Sequence, residues 1–114
     1  MKWLKDQGLD QNTIVIFTTD NGAEVFTWPD GGTPFAGSRG MVKDGGYRVP
    51  AIVKRPGHVP AGSVSNGIIS GLDWHPTLTS IAGNPNVKDQ LIKGLTLDGK
   101  NYRSIWTVLT RPRC

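Results

Sequence analysis

Hydrophobic positions cluster into a few short blocks separated by long polar, glycine-rich stretches. Thr13-Ile-Val-Ile-Phe-Thr-Thr is the clearest block. It is β-branched, almost continuous in apolar residues and without strict alternation, which predicts a central strand covered on both faces, as in a parallel α/β sheet. Residues 2–7 read as the end of a helix, with Gly8 as its stop. About two turns are short for a helix standing alone, so the expectation is that further chain precedes it. Residues 49–54 read as a second strand with Pro50 near its start, and 64–70 as a third. Asp73 is placed to cap a helix running to Ala82, with Pro76 in its first turn and Gly83 beyond its end. A short helix is expected over 88–93.

Between the first two strands lies a stretch, 20–46, too long to be an ordinary connection. Unstructured segments of this length are usually functional. It opens on Thr18-Thr19-Asp20-Asn21-Gly22. Asn-Gly is also a strong hairpin signal, with 23–28 as the returning strand. The alternative follows from position: ligands of open α/β sheets bind beyond the carboxyl ends of strands. The Asp20 carboxylate and Asn21 amide oxygen are hard donors suited to Ca²⁺ or Mg²⁺. Two donors leave such a site incomplete, so other ligands must come from elsewhere.

The stretch continues as Phe35-Ala-Gly-Ser-Arg-Gly-Met-Val-Lys-Asp-Gly-Gly-Tyr-Arg-Val-Pro50. Its glycines allow close backbone approach to a ligand. Arg39, Lys43 and Arg48 surround it with cations, as an oxyanion site requires. A solvated basic loop would show the same pattern.

Taken in order, these segments resemble the sulfatase family. Members commonly read Phe-Arg-Gly-x-Lys-Gly-x-x-x-Glu-Gly-Gly-x-Arg-Val-Pro, then Trp-Pro-Gly, where this chain has Arg55-Pro56-Gly57. The likeness extends through Gly62-Ser-Val-Ser-Asn to Leu72-Asp-Trp-His-Pro-Thr77, the counterpart of a Leu-Asp-x-x-Pro-Thr helix, and covers 1–102. Trp28-Pro-Asp-Gly-Gly-Thr33 looks most like bacterial arylsulfatases. The resemblance implies an α/β fold, a fragment of an alkaline-phosphatase-like α/β sandwich with a mostly parallel central sheet. It implies a sulfuric ester hydrolase, Asp20 and Asn21 as the late pair of calcium ligands, and a periplasmic or secreted location. Arg39 stands where the family usually has a sulfate-contacting lysine; a planar fork replaces a compact ammonium, a non-conservative change. Gly40, Gly45 and Gly46 shape the substrate loop. Asp44 replaces the usual glutamate, and Lys43 stands where an aromatic residue is common.

The family's nucleophile, a Cys/Ser-x-Pro-x-Arg residue converted to formylglycine, has no match in this chain. Hydrolysis by this chain alone is therefore not expected, because the covalent route lacks its first step. Two other classes remain open: a non-catalytic module binding polyanions through Arg39, Lys43 and Arg48, and a phosphohydrolase relative of the same superfamily.

Composition narrows this further. At 114 residues the chain is one small domain or a piece of a larger one, able to bury roughly two-thirds of its unfolded surface. The net charge of +4 is mostly scattered, with no run of about five like charges, so a nucleic-acid partner is not indicated. The expected partner is a sulfate ester or sulfated glycan. No apolar run could span a bilayer, and the first residues lack a signal-peptide core. The single cysteine, Cys114, excludes an internal disulfide. His58 and His75 read as surface residues. No oligomeric state is specified. Residues 1–103 are read as the partial catalytic domain and 104–114 as a frameshifted tail: codons for 105–110, shifted by one base, can encode His-Leu-Asp-Gly-Ser-Asp, as the family continues. Resequencing the source DNA tests this, and an intact reading frame rejects it.

Overall fold

A computed structural model describes residues 1–25, 27 and 32–103. The tail expectation for 104–114 falls outside these residues, as do residues 26 and 28 of the returning strand of the hairpin alternative. The described chain divides into two compact units, 1–55 and the residues from 56 onward.

In the first unit, α1 spans Lys2–Asp6. It ends as expected: Gly8 adopts φ +68°, and its N–H reaches the Lys5 carbonyl at 2.9 Å, a left-handed stop that glycine makes at least cost. Strand β1, Val15–Thr18, pairs antiparallel with β2, Ala51–Lys54. Proline 50, which has no N–H for the ladder, stands just before β2. The Thr18 hydroxyl closes the pair by donating to the Pro50 carbonyl at 2.9 Å. Between the strands lies α2, Asp44–Tyr47, a single turn that the sequence reading did not foresee.

This sheet differs from the one expected. Among the described residues it has two strands, and they run antiparallel; a mostly parallel central sheet is not among them. Nor is β1 covered on both faces. Phe17 and its cross-strand partner Ile52 lie on one face and are 61% and 63% exposed. Nearer the opposite end, Val15, Ile16 and Val53 are half-buried.

In the second unit, a 3-10 turn Gly71–Asp73 leads into α3, Trp74–Ile81. Its start and stop match expectation: Asp73 is the N-cap, and Gly83 at φ +106° follows its end. Asp73 does not cap α3 with its side chain. Its carboxylate instead forms a reciprocal capping box with Ser70 on the 3-10 turn. Pro76, Thr77 and Ser80 are the buried face of α3. The short helix expected over 88–93 is a 3-10 turn, Val87–Gln90. The third strand expected over 64–70 does not form. Val64 and Ile68 are 76% and 87% exposed, and with no neighbouring strand the segment has no ladder to join.

Candidate active site

The site is built where β1 runs out. The Thr19 hydroxyl donates to the Asn21 carbonyl at 2.9 Å, a local turn that competes with strand continuation. Asp20 is exposed and Asn21 half-buried. Neither side chain hydrogen-bonds or ion-pairs with a described residue. The hairpin alternative is not what forms: β1 pairs with β2, and the Ala23 carbonyl accepts the Arg39 N–H at 3.0 Å.

Gly22 makes the contact that organises the site. Its N–H donates to the Gly46 carbonyl at 2.9 Å, and a Cβ there would lie 1.8 Å from the Gly45 oxygen. Gly45 is pressed equally hard on its other side: its N–H reaches the Ala36 carbonyl at 2.9 Å, and a Cβ would lie 2.2 Å from the Gly37 oxygen. A Cβ on Gly46 would lie 2.1 Å from the Met41 oxygen. Backbone therefore stacks on backbone, from the strand end through α2 to the loop before it. Only glycine allows this approach, which explains why a helical turn forms over two residues of poor helix propensity.

Arg39 is thereby fixed at its backbone beside the end of β1. Gly40 follows it at φ +83°, with open space around it, so conformation rather than room requires that glycine. The Arg39 side chain is exposed and makes no hydrogen bond or ion pair with another described residue. Arg48 is occupied otherwise. It lies 4.2 Å from the Phe35 ring centroid and 3.4 Å from the Asp44 carboxylate. The Tyr47 hydroxyl donates to the same carboxylate at 2.7 Å. That bond, reinforced by the nearby negative charge, raises the Tyr47 phenol above its usual range. Of the three cations expected around the loop, Arg48 thus ties the loop's two ends, while Lys43 sits at the N-cap of α2 with its Cβ against Gly37.

Asp20 and Asn21 fit a hard cation in donor type. Among the described residues no cluster of three His, Cys, Asp or Glu gathers to hold a metal, and two donors fall short of the roughly six to eight oxygens that Ca²⁺ takes. His58 and His75 are exposed; His58 Nδ1 lies 3.0 Å from the Pro56 carbonyl oxygen.

The chain matches the Sulfatase family model over residues 1–84. It belongs to the sulfatase family. It is 41% identical over 97 residues to N-acetylgalactosamine-6-sulfatase of Mus musculus, covering 82% of this chain and 19% of that one. It is 39% identical over 101 residues to human Arylsulfatase A, covering 87% and 18%. Its structure superimposes on the crystal structure of the PsFucS1 sulfatase from Pseudoalteromonas sp. with a TM-score of 0.76 at 33% identity, covering 94% of this chain and 21% of that one. This sulfatase chain thus spans about one fifth of the length of the relatives it matches.

Three features escaped sequence reasoning. The packing role of Gly22 was hidden because Asn-Gly reads first as a turn. Ser38 is 2% exposed with its hydroxyl unpartnered among the described residues, and no local pattern marks it. The Phe35–Arg48 stack joins residues thirteen apart, beyond any helical or strand period.

Proposed function

We propose that this chain is the C-terminal part of the catalytic domain of a sulfuric ester hydrolase, acting on a sulfate ester or sulfated glycan. In this reading Asp20 and Asn21 hold a divalent cation, with Ca²⁺ preferred over Mg²⁺. Arg39 binds the sulfate, and Gly40, Gly45 and Gly46 shape the loop around it. The observation that carries it is the seam of backbone contacts. Gly22 on Gly46 and Arg39 on Ala23 tie the backbone of the loop, Arg39 included, to the chain just beyond the strand, next to Asp20 and Asn21, which supports this reading. When bound, the cation would act as a Lewis acid toward sulfate oxygens. The Arg39 guanidinium would stabilise negative charge on those oxygens. Because the chain lacks a Cys/Ser-x-Pro-x-Arg nucleophile, it supplies binding and no covalent step.

The test is a Ca²⁺ titration of the chain followed through the amide signals of residues 19–23 by NMR. Wild type should respond at millimolar Ca²⁺, and Asp20→Ala/Asn21→Ala should not. Equal responses would reject the metal assignment. The chain should turn over neither aryl sulfate nor aryl phosphate on its own; sulfate turnover by the isolated chain would overturn the account of its missing nucleophile.

A further inference from the structure

Asp73 and Thr77, both in the Leu72-Asp-Trp-His-Pro-Thr77 segment, have a role that the active site does not use. Both are buried, at 6% and 1% exposure, and both side chains bond to a segment more than twenty residues downstream. Asp73 accepts the Ser70 N–H at 2.7 Å through one carboxylate oxygen and the Lys100 N–H at 2.5 Å through the other. The Thr77 hydroxyl donates to the Lys100 carbonyl at 3.4 Å and accepts the Tyr102 N–H at 2.9 Å. The Tyr102 hydroxyl donates to the Ile68 carbonyl at 3.1 Å. Gly99 lies flat on the Leu72 carbonyl, so close that a Cβ would stand 2.2 Å from its oxygen.

We propose that Asp73 and Thr77 form a latch that holds residues 98–102 as a strap across the start of α3, and that protonating Asp73 releases it. The strap lies wholly beyond residue 84, where the match to the family model ends. It also forms one wall of an open cleft whose other wall is Ile68, Ser70 and Leu72, so latching builds the cleft and release dismantles it. The charged groups that line the cleft with Asp73 are Lys88 of the 3-10 turn and Asp98 and Lys100 of the strap. Lys88 donates to the Gly99 carbonyl, and His75 on α3 is exposed.

The backbone N–H groups of Ser70 and Lys100 hold the Asp73 carboxyl below the usual carboxylate range. A folded-state pKa below the unfolded one contributes stability that is complete above about pH 4, the ordinary Asp value. That stability is lost as pH falls through the folded value. Asp73→Asn keeps the shape but leaves one acceptor oxygen where the latch uses two.

The test is NMR on the full chain from neutral pH down through the acid range, reading the Ser70, Lys100 and Tyr102 amides, with residues 78–81 of α3 as the folding control. In wild type the Ser70 and Lys100 signals should move together with one midpoint below pH 4, while α3 persists. Asp73→Asn should abolish that transition and strip Lys100 of exchange protection at neutral pH by tenfold or more. Thr77→Val should do the same to Tyr102, and Thr77→Ser should restore it. Separate midpoints for Ser70 and Lys100 would overturn the proposal. So would unchanged protection in both Asp73→Asn and Thr77→Val with α3 intact. Should Asp73→Asn unfold α3, the Thr77→Val and Thr77→Ser pair decides.

Discussion

Replacing Gly22 with alanine is the sharpest probe of how the candidate site is assembled. The added methyl would sit 1.8 Å from the Gly45 oxygen, 2.7 Å from the Gly45 carbonyl carbon and 3.0 Å from that of Gly46. Contacts become ordinary only at about 3.4 Å, and all three neighbours are backbone, so no side chain can rotate away. Two rigid pieces must part instead, and the Gly22–Gly46 hydrogen bond breaks with them. Overpacking costs about 1–3 kcal/mol and the lost bond about 1 kcal/mol. Together they take roughly 2–4 kcal/mol from a domain whose whole stability is on the order of 5–15 kcal/mol. The melting temperature should fall by roughly 10–20 °C, read by circular dichroism.

Two other glycines calibrate this. Gly71 has nothing within 4 Å and no left-handed φ, so Gly71→Ala should be neutral or stabilising by up to about 1 kcal/mol through the unfolded chain. Gly8 has open space but φ +68°, so Gly8→Ala should cost about 1–2 kcal/mol from conformation alone. The order Gly71, Gly8, Gly22 separates steric contact from backbone strain. If Gly22→Ala melts with Gly71→Ala, the seam between strand end and loop is not what holds the site. Its Ca²⁺ response should also vanish, since Asp20 and Asn21 immediately precede the displaced residue.

The remaining expectations concern single side chains. Arg55 is 9% exposed and its Nη1 has no partner among the described residues; a buried charge without a partner is costly. Arg55→Met should therefore leave the chemical-denaturation midpoint unchanged or raised, and a loss above about 2 kcal/mol would contradict this. Arg48→Ala removes an exposed stack worth about 0.5–1 kcal/mol and should barely alter the melt. It should nevertheless speed tryptic cleavage after Arg39 and Lys43, because the loop ends are untied. Asp44→Asn should bring the raised Tyr47 ionisation down toward the usual phenol range in an ultraviolet titration. The bond that disfavours the phenolate then no longer involves a charge.

Local signals in the sequence located most elements and said little about how they pair. Gly8 and Gly83 were readable because a left-handed stop needs only the residues around it, and both take positive φ. The apolar run at 13–19 was readable as a strand, but its partner and direction were not. Pairing β1 with β2 depends on a return path through a loop whose shape the strand does not encode. Exposed Phe17 and Ile52 show the same limit: a pattern suited to burial on both faces records what a strand can be covered by, not what covers it here. Residues 64–70 failed in the opposite sense, since β-branched and apolar composition without a neighbouring ladder leaves only exposed coil.

The candidate site was legible as residues and illegible as geometry, and glycine is the reason. Asp20, Asn21 and Arg39 carry recognisable functional groups, so each could be named from its type and position. What brings them together is a set of missing side chains. Gly22, Gly37, Gly45 and Gly46 act through the absence of a Cβ, which lets three backbone segments touch. A glycine that is required for contact and one that merely turns the chain are identical in sequence. Gly40 and Gly45 illustrate the pair: the first has empty space and a left-handed φ, the second an ordinary φ and a carbonyl at 2.2 Å. The residue types along this chain therefore name the candidate groups, while the glycine contacts fix the backbone that carries them.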